Sequence, residues 1–193
     1  EYILQHSRSP VLLIENQERY AKIASLRGGL TDLKHVVRMD DGKPSDAATI
    51  SWRDFLAKGD KSLQKQVDAR LQAIKPEDPG TYIYTSGTTG PSKAVELTHA
   101  NLAWSAQSLC GALGATADQR LISYLPLAHV AEQMISVHSP ALLGFPIYFA
   151  RTLEELSEHL KEVRPTIFFG GPRVWEKMHA AIEAKLEGAT GPK

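Results

Sequence analysis

Apolar positions along the chain alternate between short unbroken runs and helical spacing. Val11-Leu12-Leu13-Ile14 is a continuous apolar run, the pattern of a strand buried on both faces. Asn16 then caps a helix on Tyr20, Ile23 and Leu26, which Gly28-Gly29 stops. His35–Met39 reads as a second strand, ending in the turn signal Asp40-Asp41-Gly42-Lys43-Pro44. Ser51-Trp52-Arg53-Asp54 fits a capping box that opens a short helix. Leu63, Val67, Leu71 and Ile74 mark one face of an amphipathic helix, ended by Pro76 and Pro79-Gly80. Further on, Val95 and Leu97 alternate with Glu96 and Thr98 at a period of two, and Thr98 is placed to cap a helix from His99 to Leu113. A strand at Leu121–Leu125, a helix over Val130–Leu143 and a strand at Ile147–Phe149 follow. Then come a helix on Leu153, Leu156, Leu160 and Val163, a stop at Pro165 and a strand at Thr166–Phe169. The last helix carries Val174, Met178, Ile182 and Leu186 at four-residue intervals. Strands alternating with amphipathic helices predict an α/β fold with a largely parallel sheet.

Composition changes this picture little. The 193 residues suit one domain or a large piece of one, and 42% hydrophobic with 23% charged content is ordinary for a globular chain. Lys+Arg and Asp+Glu are equal at 22, so no net field favours nucleic acid or an anionic membrane. Trp52, Trp104 and Trp175 are too scattered for a base-stacking platform. Cys110, the only cysteine, has no internal disulfide partner and suits a reducing, cytoplasmic setting. The histidines show no zinc spacing. Leu121–Ala150 is poor in charge, but Pro126, Pro140 and Pro146 break it, so buried core is the expectation rather than a membrane span. No leader-like segment opens the chain, and both ends read as cuts through a longer polypeptide.

One stretch is not explained by packing. Tyr84-Thr85-Ser86-Gly87-Thr88-Thr89-Gly90, followed by Lys93, concentrates hydroxyls and glycines in a few residues. Glycines let backbone N–H groups line a concave turn, hydroxyls add donors, and lysine adds a mobile positive charge, which together make a phosphate cradle. A Walker loop needs its lysine directly after the last glycine and a helix afterwards; here Pro91 and Ser92 intervene, Ala94 replaces the Ser/Thr, and a strand follows. The dinucleotide fingerprint lacks its first glycine, and Ser86 is no nucleophile elbow because Tyr84 stands where glycine is needed. A strand–loop–strand cradle remains.

This loop, residues 84–95, closely resembles the phosphate-binding signature of the adenylate-forming superfamily, approximately [YF]-T-S-G-[ST]-T-G-x-P-K-G-V. Ser92 and Ala94 depart from its usual proline and glycine. Ser123-Tyr124-Leu125-Pro126-Leu127-Ala128-His129-Val130-Ala131-Glu132 resembles the YLPLxHxxE segment of long-chain fatty-acyl-CoA synthetases. Arg164 to Met178 resembles their PT-x-x-x-G-V-P-R-V-[WY]-E-K segment, with Gly171 in place of the usual valine. The resemblance is to the bubblegum-type subfamily and implies that residues 1–193 form part of the large N-terminal, AMP-binding domain.

It further implies that Thr85, Ser86, Gly87, Thr88, Thr89, Gly90 and Lys93 hold the β- and γ-phosphates of ATP. A loop hydroxyl, Thr85 first, would ligate Mg²⁺; the alternative is that Thr85 merely ends a strand. Lys93 and His129 are the candidate catalytic residues. Residue pattern alone leaves His129 open between a ligand-site residue at a strand end and a satisfied core histidine. Glu132 is either its support or a helix-start acid. Gln133 lies near the position of an aromatic pocket gate in some relatives, and Arg173 and Glu176-Lys177 read as an ordinary helix start. The implied partners are a fatty acid, ATP, CoA and the rest of the parent polypeptide, with no nucleic acid and no membrane association indicated. The segments for adenine, ribose and the C-terminal catalytic lysine are not found, so the resemblance implies an ATP-dependent fatty acid–CoA ligase whose activity this chain alone lacks. A fatty-acyl-AMP ligase, a carrier-protein adenylation domain, or a non-catalytic module of the same fold are the alternatives.

Overall fold

The computed structural model describes residues 1–40, 42, 46–85 and 92–187, which group into two compact units, residues 1–100 and 101–193. Each unit is built around its own short parallel pairing. In the first, β1 (Val11–Ile14), α2 (Gln17–Ala24) and β2 (His35–Arg38) make a β–α–β crossover after a short N-terminal helix α1 (Tyr2–Ser7). Asn16 starts α2 as expected, its Oδ1 accepting from the Arg19 N–H at 3.0 Å; such a cap contributes about 1 kcal/mol. β2 lies in the middle of a three-stranded parallel sheet, between β1 and β3 (Thr49–Ser51). Val36 and Val37 are fully enclosed, and Val36 packs with Ile14, Leu30, Leu33 and Tyr20 of the crossover. The sequence pattern did not predict β3, because three residues of one strand carry too short a period.

Several expectations are corrected here. β1 is not buried on both faces: Val11 and Leu13 are exposed and only Ile14 is enclosed, as befits the edge strand of its sheet. Met39 falls outside β2 and is also exposed. The helix predicted from Leu63, Val67, Leu71 and Ile74 forms as α4 (Gln64–Ala73), but that apolar stripe faces outward. Ser51 does cap α3 (Trp52–Ala57), with Asp54 closing the box: Ser51 Oγ accepts from the Asp54 N–H at 3.1 Å and donates to Asp54 Oδ2 at 2.8 Å. Of the predicted turn at residues 40–44, Asp41, Lys43 and Pro44 lie outside the described residues. The first unit ends in an antiparallel hairpin, β4 (Pro79–Thr85) and β5 (Lys93–Thr98), so the sheet content is parallel in two pairings and antiparallel in this third.

α5 (His99–Leu113) starts and stops where the sequence predicts. In the second unit, β6 (Leu121–Ser123) pairs in parallel with β7 (Ile147–Phe149). The helical run between them is not uniform: α6 (Val130–Gln133) widens into a π turn at Met134–His138 before α7 (Ser139–Leu143). Pro140 explains this interruption. It has no N–H to offer the preceding turn and its ring crowds that turn's carbonyl, so the backbone opens and Ser139 N–H bonds to Met134 O instead. Gly144 ends α7 in the left-handed region, φ 80°. α8 begins at Leu156 rather than Leu153 and ends at Val163, with Arg164 left-handed before Pro165.

No strand forms at Thr166–Phe169. Thr166 instead makes a single rung with Arg120, its N–H donating to Arg120 O at 2.9 Å, after which the chain turns into α9 (Pro172–Glu187). The segment 121–150 is part core and part surface: Leu121, Ile135 and Phe145 form a buried cluster, whereas Leu127, Val137 and Phe149 are exposed. No helix among the described residues is long and apolar enough to cross a membrane.

Candidate functional site

The hairpin brings two of the sequence-identified residues together. Thr85 closes β4 and Lys93 opens β5, and they are direct cross-strand partners; both are exposed. The strands are pinned from outside the loop. Tyr82 Oη donates to its cross-strand neighbour Glu96 Oε2 at 2.5 Å, and that bond to a carboxylate raises the Tyr82 pKa. Tyr84 Oη pairs with His6 Nδ1 at 2.9 Å, while Ile83, pointing the other way, is buried. Ser86, Gly87, Thr88, Thr89 and Gly90 lie outside the described residues. Thr85 thus ends a strand, directly before the loop residues that lie outside the described set. Thr85 offers one neutral hydroxyl oxygen, the kind of donor that a hydrated magnesium ion takes beside its waters, while the ammonium of its cross-strand partner Lys93 suits phosphate oxygens and not a cation.

His129 is exposed, so the core-histidine reading falls. It caps α6, its Nδ1 accepting from the Ala131 N–H at 3.2 Å. The loop before it, Tyr124 to Ala128, is tied down at each end. Its Leu125 N–H donates to Glu132 Oε2 at 3.3 Å, Gln133 Nε2 donates to Leu127 O at 2.7 Å, and His129 N–H donates to Pro126 O at 2.9 Å. Glu132 is only 2% exposed, and Ser123 Oγ and Ser136 Oγ both donate to its Oε1 at 2.5 Å. It is therefore both of the things the sequence allowed, an acid in the first turn of α6 and a support for the segment bearing His129. Gln133, the residue near the gate position, is occupied in holding the loop.

The second and third motif segments meet through aromatic rings. Tyr124 stacks on Phe168 at 5.8 Å between centroids, and Phe168 meets Trp175 edge-on at 5.4 Å. Tyr124 Oη donates to Phe169 O at 2.9 Å and Trp175 Nε1 donates to Gly170 O at 2.8 Å. Burial raises the Tyr124 pKa, and the Glu132 carboxylate adds to the shift. Arg173 and Glu176-Lys177 are exposed on the first turns of α9, as the ordinary helix-start reading expects.

Beside this junction lies an apolar cavity of about 410 Å³. Leu109 and Leu113 of α5, Leu121 of β6, Met134 and Ile135 of the helical run, and Phe145 form much of its wall. Ala131, two residues from His129, and Phe168 also line it, so the cavity reaches both motif segments. The sequence reading gave none of these wall residues a place in the site, nor Ser123 and Ser136. The four-residue step from Glu132 to Ser136 was the available signal for one of them.

Comparison with known proteins shows the family of the chain. The AMP-binding enzyme family model matches residues 1–191. The human protein named long-chain-fatty-acid–CoA ligase ACSBG2 is 33% identical over 100% of this chain and 30% of its own length. The protein of that name from Xenopus laevis is 36% identical over 95% of this chain and 26% of its own. Among solved structures, the anthranilate CoA ligase AuaEII in complex with anthranoyl-AMP matches with a TM-score of 0.70 at 25% identity, covering 88% of this chain and 32% of that one. The chain belongs to the AMP-binding enzyme family. It spans about 30% or less of the length of these two curated relatives.

Proposed function

We propose that this chain is part of the N-terminal domain of an ATP-dependent long-chain fatty acid–CoA ligase. The observation that carries the reading is the likeness, over the whole chain, to proteins named as long-chain fatty acid–CoA ligases. The cavity supports it, since about 410 Å³ within a largely apolar wall suits an alkyl chain. In the complete protein a fatty carboxylate oxygen attacks the α-phosphorus of ATP, and the bond to pyrophosphate breaks. The CoA thiolate then attacks the acyl carbon and AMP leaves.

Lys93 and the loop Thr85 to Gly90 hold the β- and γ-phosphates and meet the charge that builds on the departing pyrophosphate. Thr85 would be the protein ligand of Mg²⁺, which would supply further charge neutralisation there. His129 stands at the acyl end. The chain alone is expected to show no ligase turnover. The test is to supply the complete protein with ATP, CoA and palmitate and identify the product. Palmitoyl-CoA supports the reading; palmitoyl-AMP without use of CoA would instead mean an acyl-AMP ligase, and no product with normal Mg·ATP binding would mean a non-catalytic module.

A further inference from the structure

We propose that Glu132 is a positioning residue: its buried carboxylate fixes His129 as the neutral Nε2–H tautomer, an outward hydrogen-bond donor to a substrate oxygen rather than a base. The proposal rests on the ligase reading for the identity of that oxygen, a carboxylate or acyl-phosphate oxygen, and on local geometry for the rest. A neutral imidazole carries one proton, and the unprotonated nitrogen is its acceptor. Nδ1 of His129 already accepts the Ala131 N–H. The proton therefore sits on Nε2, for which the described residues offer no acceptor, on an exposed ring. A base needs a free lone pair facing the substrate, and the one lone pair here faces the protein's own backbone.

This arrangement depends on the first turn of α6 staying against the end of β6, and Glu132 makes that connection. It reaches Ser123 at the end of the strand, Leu125 in the loop and Ser136 in the π turn, and its own N–H donates to His129 O at 3.0 Å. All three donors to its carboxylate, two hydroxyls and one backbone N–H, are neutral. A buried carboxylate so served is more costly than an apolar residue of similar size, so stability alone does not account for it. A carboxylate can accept from both hydroxyls and from the Leu125 N–H together. An amide cannot do so without turning its NH₂ toward one of those donors.

The full 193-residue chain tests this directly through two-bond ¹H–¹⁵N correlation of its imidazoles. The expected spectrum shows His129 as one tautomer, protonated on Nε2; an Nδ1–H form, or a mixture in the wild-type chain, overturns the proposal. Glu132→Gln and, should that variant not fold, Ser136→Ala are expected to give mixed tautomers with the far-UV spectrum unchanged. Folded variants with an unaltered His129 tautomer would show Glu132 to be structural only. In the complete protein, His129→Gln keeps a donor and should retain kcat within about tenfold, whereas His129→Leu should lose about a hundredfold with little change in KM. Equal losses overturn the donor role. The tautomer measurement does not depend on the reaction, so a complete protein that forms neither acyl-AMP nor acyl-CoA would strike the ligase reading and leave the tautomer result to decide this one.

Discussion

Thr85 and Lys93 face each other at the last described rung of the β4–β5 hairpin, so the two ends of the segment between them are held at cross-strand distance. Such a pairing fixes the width of the loop mouth without using the lysine ammonium. Lys93→Ala should therefore leave the fold intact, with stability changed by no more than about 0.5 kcal/mol, as for other exposed sites. Mg·ATP affinity in the complete protein should fall about tenfold or more, because a charge-assisted bond to phosphate is removed. Calorimetric titration reads this, and unchanged affinity would remove Lys93 from the site.

Gly170 sits where no side chain fits. A Cβ there would lie 2.9 Å from the Cε2 and Nε1 atoms of Trp175, whose Nε1 donates to Gly170 O. Gly170→Ala should push the indole away and loosen its edge contact with Phe168, costing about 1–3 kcal/mol of stability in the second unit. Tryptophan emission shifted to the red, with a lower denaturation midpoint, is the expected result; an unshifted spectrum would show that the ring turns aside freely.

Much of this was legible in residue order, and the failures share a cause. Asn16 and Ser51 act through neighbours a few positions away, so the starts of their helices were placed nearly to the residue. The strand after the Gly/Thr-rich loop was legible because Val95 and Leu97 alternate with Glu96 and Thr98. What was missed depends on distant partners. Thr166–Phe169 has the composition of a strand, yet Phe168 and Phe169 serve Tyr124 instead of a ladder. Val67 and Leu71 form a proper helical stripe, but the fold offers them no surface to cover. Glu132 could be named as a support from its place after His129, while its hydroxyl partner Ser123 comes from another element.

Asp40 should contribute to the acid limb of stability in the first unit. Arg38, 4% exposed, holds Asp40 through two bonds, Nε to Oδ1 at 3.0 Å and a second guanidinium N–H to Oδ2 at 2.6 Å. The hydrogen bonds from Arg38 come first among the causes that lower the Asp40 pKa below its ordinary 3.8. A carboxyl whose pKa is lower folded than unfolded stabilises the fold above the unfolded value and loses that contribution as pH falls through the folded value. Denaturation midpoints of the wild-type chain should accordingly decline below about pH 4, and Asp40→Asn should be less stable at neutral pH with a flatter acid decline. Parallel acid limbs in the two proteins would show that other carboxyls carry the dependence. Asp46, lowered chiefly by its bond from Tyr20, is the internal comparison.

The apolar cavity makes the acyl assignment testable from its wall. Ala131 lines the cavity two residues from His129 and packs against the Leu121–Ile135–Phe145 cluster. Ala131→Phe places a ring where an alkyl chain would lie. The new ring occupies existing space, so the cost of overpacking should stay near the low end of about 1–3 kcal/mol. Binding of a fluorescent long-chain fatty acid should weaken at least about tenfold, since most of the apolar contact of the chain is displaced. A medium-chain analogue should lose less than a long one, because it needs less of the cavity. Equal losses for both lengths would mean that the ring blocks an entrance, and no loss for either would place the acyl chain elsewhere.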